Sequence, residues 1–209
     1  MKRVRLDSET RKEQILDAAL QIIAEKGVKG VNTSEIARRV RLVPSALYRH
    51  FRDKNSLVES LLVRTHQQLT ENVNWVSKGP SDPLKKLERL FRLHVELLRR
   101  NLGIPKLVFS DEVAFGSGKG QEYLHALVDA YESRVEAIVR DGQNQGQIMM
   151  GLEPSVIAFA FVSLVQNVAI TLSLTAGKVD RGDRACRAWK IFEGGVKAFG
   201  QSDQEVVSK

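Results

Sequence analysis

Apolar residues recur at intervals of three and four along almost the whole chain, and no segment sustains an apolar–polar alternation bounded by hairpin turn signals. That restricts the fold to helices packed on helices. The stripes and their stops divide the chain into about nine helices and no sheet. The first runs from about Glu9 to Lys26 with Ile15, Ala18, Ala19, Ile22 and Ile23 inward and Gly27 as a C′ stop. Two short helices lie within 33–51, and a longer one opens at Lys54 and reaches the Gln67–Val76 region. Pro83 starts a helix that ends near Gly103, and a short helix covers about 105–115. Three more are expected at Gln121–Gln143, 154–176 and about 181–199. The GSGKG run at 116–120 lacks the Gly-Lys-Ser/Thr ending and the preceding strand of a phosphate-binding loop, so it reads as a connector.

Residues 32–54, NTSEIARRVRLVPSALYRHFRDK, have the layout of a helix-turn-helix. Asn32 can cap the first helix, and Glu35 three residues later completes a capping box. Ile36, Ala37 and Val40 form the inner face, with Arg38 and Arg39 opposite. Pro44 suits the first turn of the second helix, where its missing N–H is not needed. There Leu47 and Phe51 point inward, leaving Ser45, Tyr48, Arg49 and His50 free for a partner. A short helix bearing donors and a cation fits a major groove. Taken alone, the segment could equally be a helical hairpin with a solvated basic face.

Charge distribution separates these readings. The chain carries a net charge of +7, and residues 1–66 hold 14 Lys and Arg against 8 Asp and Glu. Nearly all the positive excess therefore surrounds the motif, and a polyanion is its natural partner. Hydrophobic content of 43% with 27% charged residues is that of a globular chain. One cysteine, Cys186, excludes an internal disulfide framework, and Lys2, Arg3 and Arg5 lead into no apolar signal segment. The expected location is the cytoplasm. Ser155–Gly177 carries no charge and has the length of a membrane span. Its many Ser, Thr, Gln and Asn side chains argue against that. So does the basic cluster Lys178, Arg181, Arg184, Arg187 and Lys190 after it, which would place the amino terminus outside the cell. The expectation is no membrane, and a helix packed on two sides by its own domain and by a partner subunit. His50, His66, His94 and His125 show no metal-ligand spacing, so neither metal nor cofactor is expected.

The runs ILDAALQIIAEKG, TSEIARRV and ALYRHFRDKNSL, over about residues 9–60, resemble the TetR (tetracycline repressor-like) family of bacterial transcription regulators. The resemblance implies an all-α fold: a three-helix DNA-binding domain at 1–53, a ligand-binding and dimerisation domain at 54–200, and a frayed tail at 201–209. It further implies a homodimer through the two carboxy-terminal helices, a double-stranded DNA operator and a small-molecule effector. By position, Thr33 and Ser34 become backbone or groove contacts. Pro44, Ser45, Ala46, Tyr48, Arg49 and His50 become the recognition helix, with Arg49 as base reader and guanine its target, and Lys54 becomes a phosphate contact. The implied cavity is expected to use His94, Leu97, Phe109, Phe115, Tyr123, Leu127 and Gln166, and the implied interface Phe161, Val165, Trp189, Phe192 and Val196. His94 also fits a satisfied core histidine, and Gln166 with Asn167 also fits hydrogen bonding across a buried interface.

Three residues depart from the family pattern. Arg41 stands where Gly is common in the turn, and must take an unusual backbone conformation or shift the turn. Val43 and Ala46 replace a capping and a phosphate-binding hydroxyl. Phosphate anchoring would then lean on Lys54, Tyr48 and the Lys2/Arg3/Arg5 arm. Two other classes remain open from sequence. One is a non-specific architectural DNA-binding protein, which has little use for a near-neutral helical domain. The other is a small-molecule-binding helical protein or enzyme without DNA function, which leaves the basic third unexplained.

Overall fold

The Asp7 carboxylate accepts the Thr10 N–H at 2.8 Å and caps α1 (Ser8–Lys26), which stops at Gly27 with φ +73°. The computed structural model describes residues 7–79, 82–114, 119–175, 177 and 184–197. After a 3-10 turn at Val28–Gly30 come α2 (Thr33–Arg39), α3 (Pro44–Leu47) and α4 (Lys54–Ser77). Then follow α5 (Pro83–Arg100), α6 (Gly103–Val108), α7 (Asp111–Ala114), α8 (Lys119–Asn144), α9 (Pro154–Thr175) and α10 (Arg184–Val196). The fold is all-helical, and among the described residues the only β pairing is one isolated bridge, Ile148 to Lys197. The Lys2/Arg3/Arg5 arm, Phe115 and the 201–209 tail lie outside the described residues.

Among the described residues there are ten helices rather than nine, because the expected 105–115 helix breaks at Ser110. The Ser110 hydroxyl donates to Leu107 O at 2.8 Å, while Ser110 O accepts the N–H groups of Val113 and Ala114 and starts α7. A serine that bonds locally to backbone competes with helix continuation. The helix also starts earlier, at Gly103, with Pro105 in its first turn.

One continuous core joins the two ends of the chain. In the first three helices Ile15, Ile22, Ile23, Ile36, Leu47 and Phe51 are buried together. Arg64 of α4 reaches Glu13 and Asp17 of α1 at 3.0 and 2.8 Å, fastening the long helix to this unit. A second seam joins α1 to α6: Lys106 Nζ donates to Ala24 O, and a Cβ built at Gly103 would lie 2.2 Å from Leu20 O. Only a glycine lets α6 approach α1 this closely.

Phe161 of α9 is fully buried between Phe91 of α5 and Trp189 and Phe192 of α10, with ring centroids 5.9–6.4 Å away. Edge-on aromatic packing of this kind adds to the area it buries. The consequence corrects an expectation. Phe161, Val165, Trp189 and Val196 are buried in the subunit's own core, and Phe192 is half-buried against it. The side of α9 and α10 left in solvent is a different stripe: Val156, Phe159, Ile170 and Leu174, with Ile191 of α10. Helix α9 is long and apolar enough to cross a membrane by length and composition. Its other face, however, is packed on α5, α6, α8 and α10.

Candidate nucleic-acid interface and effector cavity

The Asn32 side chain accepts the Glu35 N–H at 2.8 Å, so the first helix of the motif is capped as its sequence indicates. The reciprocal half of the expected capping box is replaced. Glu35 turns to Arg38 and Arg39, both at 3.0 Å, and to Lys26 at 3.8 Å, while Arg39 also holds Glu25. The Arg38 and Arg39 hydrogen bonds hold the Glu35 carboxyl down at about 2. Arg39 is thereby engaged in pinning α2 to the end of α1, whereas Arg38 keeps 72% of its side chain in solvent. The i, i+3 and i, i+4 spacing of Glu35 to the two arginines was the available signal for this network.

Arg41 takes the left-handed conformation, φ 56°, alone among the described non-glycine residues. Arg41 thus accepts the unusual backbone conformation, at the cost of placing an L side chain there. Val43 occupies the N-cap of α3 without any side-chain hydrogen bond, as the missing hydroxyl requires. The α-helical part of α3 is short. Tyr48, Arg49 and His50 continue it as a tighter turn, with His50 N–H donating to Leu47 O at 2.9 Å. Leu47 and Phe51 anchor this turn in the core. Ser34, Pro44, Ser45, Tyr48 and Arg49 are exposed; Thr33, Ala46 and His50 are half-buried. Asp53 and Ser56 form a complete capping box at the start of α4, with Ser56 N–H 2.7 Å from the Asp53 carboxylate. Lys54 follows it, exposed, in a cleft shared with Arg52, Glu112 and Lys119.

The second site is a cavity of about 90 Å³ enclosed by α4, α5, α6, α8 and α9. Of the residues expected there, His94, Phe109, Leu127 and Gln166 line it. Leu97 does not, since Leu98 one position on takes that side of α5. Tyr123 lies instead against His66, ring centroids 6.2 Å apart. Thr65 and Tyr131, which the sequence reading missed, complete the polar part of the wall. His94 Nδ1 lies 3.1 Å from the Tyr131 hydroxyl, with the rings edge-to-face at 5.3 Å. Burial pushes the His94 imidazole down to about 4 and the Tyr131 phenol up.

This shift has a measurable consequence. The unfolded chain protonates His94 near 6.5 and the folded chain only near 4, so stability falls as pH drops through that window. Between pH 7 and pH 5 this residue should remove about 2 kcal/mol. Urea unfolding of the wild type and His94→Gln at both pH values checks it, and equal pH dependence in the two proteins would contradict the buried neutral state.

Residues 15–61 match the family model of bacterial regulatory proteins, tetR family, and residues 80–170 match that of a tetracyclin repressor-like C-terminal domain. The chain belongs to the TetR family. It is a DNA-binding transcriptional regulator with its helix-turn-helix at the amino-terminal end. The same fold is seen in solved structures. One is the transcriptional regulator FadR from Bacillus subtilis in complex with stearoyl-CoA, with a TM-score of 0.74 and 20% identity over 88% of this chain and 98% of that one. Another is AibR in complex with isovaleryl coenzyme A and operator DNA, with a TM-score of 0.66 and 21% identity over 88% and 97%. Among curated sequences, the nucleoid occlusion factor SlmA of Aliivibrio fischeri is 23% identical over 157 residues, 75% of this chain and 80% of that protein.

Proposed function

We propose that this TetR-family chain works in the cytoplasm as a homodimeric repressor, released from a pseudo-palindromic operator by a small, largely apolar molecule. The observation that carries the reading is the double role of α9. Val162, Val165 and Ala169 on one side line the cavity, while Val156, Phe159, Ile170 and Leu174 on the other form an unpartnered apolar stripe. A ligand that swells the cavity therefore presses on the helix a second subunit would cover. On α10, Gly194 and Gly195 have open space where a Cβ would stand, and two exposed glycines in a helix make sense where another helix comes close. The stearoyl and isovaleryl groups of the thioesters in the FadR and AibR structures support an effector with an apolar acyl part.

Two recognition turns must enter successive major grooves about 34 Å apart. A ligand that binds each subunit of the spread dimer about 100-fold more tightly than that of the operator-bound one shifts the balance by about 2.7 kcal/mol per site, and two such sites reach the ~5.5 kcal/mol of a near-complete switch. Within each half-site Arg49 reads a base, guanine by preference, while Thr33, Ser34, Ser45, Tyr48 and Lys54 fix the backbone register.

Fluorescence anisotropy with DNA from the chain's own promoter tests this. Arg49→Ala should lose roughly 30-fold in operator affinity and relax discrimination at one base pair. Lys54→Ala should weaken all sequences alike and lower the salt slope by about 1. Identical behaviour of the two variants would remove the base-reading role of Arg49, and no sequence preference at all would remove the operator reading.

A further inference from the structure

The cavity wall contains an unused hydrogen-bond donor in an otherwise apolar, uncharged setting. No Asp, Glu, Lys or Arg lines it among the described residues. Thr65 has already given its hydroxyl hydrogen to Leu61 O at 2.9 Å, and Gln166 is exposed at the rim. What remains is the pair formed by His94 of α5 and Tyr131 of α8, 3.1 Å apart. A neutral imidazole and a phenol carry one N–H and one O–H between them, and their mutual bond uses one of the two. Whichever tautomer is present, one donor is left over. Among the described residues neither side chain has another hydrogen-bond partner.

A ligand carbonyl can accept that donor. A carboxylate would shed its hydration with no cation to offset the loss, whereas an ester or thioester carbonyl gives up much less. Leu98, Ile104, Phe109, Leu127 and Val165 surround the pair with apolar surface for a tail. Resting on the effector reading above, we propose that His94 and Tyr131 are the specificity pair of the cavity. They select an uncharged ligand whose single carbonyl hydrogen-bonds to them while its alkyl part lies among those apolar side chains. At about 90 Å³ the cavity is well below the ~300–1,000 Å³ of occupied ligand sites, so the tail enters by moving the surrounding helices apart.

Three probes of one length class decide this by isothermal titration calorimetry on the full chain: S-ethyl hexanethioate, ethyl hexyl sulfide, which lacks only the carbonyl, and hexanoate. The thioester should bind roughly 10-fold more tightly than the sulfide and than hexanoate. Tyr131→Phe combined with His94→Phe should bring the thioester down to the level of the sulfide, with sulfide affinity unchanged, because either residue alone still carries one donor. Hexanoate binding as tightly as the thioester, both neutral probes losing affinity together in the double variant, or none of the three binding, would each overturn the proposal. The wild-type ranking decides even if the double variant fails to fold. Operator release separates the two readings. Selective thioester binding that leaves DNA affinity unchanged sinks the effector reading and keeps the pair. Equal release by thioester and sulfide sinks the pair and keeps the effector.

Discussion

Phe159→Glu combined with Ile191→Glu should yield folded monomers that have lost at least 100-fold in operator affinity. Phe159 is 63% exposed and Ile191 78% exposed within the subunit, so the core barely registers their replacement. In a two-fold dimer each change counts twice, because the same patch faces itself. Burying a large apolar side chain contributes about 1.5–3 kcal/mol, so four lost burials exceed about 6 kcal/mol before any cost of burying carboxylates. Joining two half-site binders raises affinity by about 10²–10⁴ through effective concentration alone, and a monomer forfeits that gain. Sedimentation velocity, far-UV circular dichroism and anisotropy on one operator fragment read the three parts separately. A variant that stays dimeric with native affinity would show that α9 and α10 meet no partner. Phe161→Glu is the contrasting control: at full burial it should prevent folding instead.

That contrast between Phe159 and Phe161 shows where sequence pattern runs out. Along α9 apolar residues cover nearly every direction, so periodicity marks stripes without saying which one faces the subunit's own core. Phe161, Val165 and Leu172 turned inward and Phe159, Ile170 and Leu174 outward, although each set recurs at intervals that keep it on one helix face. In α5, where charged residues alternate with leucines, the inner face was legible to within one position, and Leu98 in place of Leu97 decided the cavity wall. The motif at 32–54 was clearer because its constraints are local. Asn32, Pro44, Leu47 and Phe51 act through the backbone or through neighbours within a few residues, and Arg41, standing where the family commonly has Gly, left two outcomes open, an unusual backbone conformation or a shifted turn, of which the first is found. Glu35 was harder: Asn32 N–H, Arg38, Arg39 and Lys26 all lie within its reach, and sequence does not rank them. The α1–α6 seam was invisible, since it depends on an absent side chain, at Gly103, far from α1 in sequence.

Gly103→Val should cost about 3 kcal/mol of stability and weaken operator binding without touching DNA or ligand. The new Cβ would stand 2.2 Å from Leu20 O and 3.0 Å from Leu20 C, both backbone atoms of α1, and no rotamer change relieves such an overlap. Helix propensity alone works slightly the other way, because valine is a few tenths of a kcal/mol better than glycine in a helix. A measured loss therefore means the clash outweighs that gain. The two helices must part, and α6 is the element with one side in the cavity, through Ile104, Pro105, Val108 and Phe109, and the other on α1, through Gly103 and Lys106. Opening the seam lets the DNA-binding helices shift relative to the cavity. Lys106→Met provides the comparison, because it removes the hydrogen bond to Ala24 O and leaves the close packing at Gly103 in place. Its cost should stay near 1 kcal/mol. Urea unfolding with operator titration on the three proteins checks the order. If Gly103→Val matches or exceeds the wild type in stability, the seam is not tight, and α4 and α9 must carry the ligand's effect to the recognition turns.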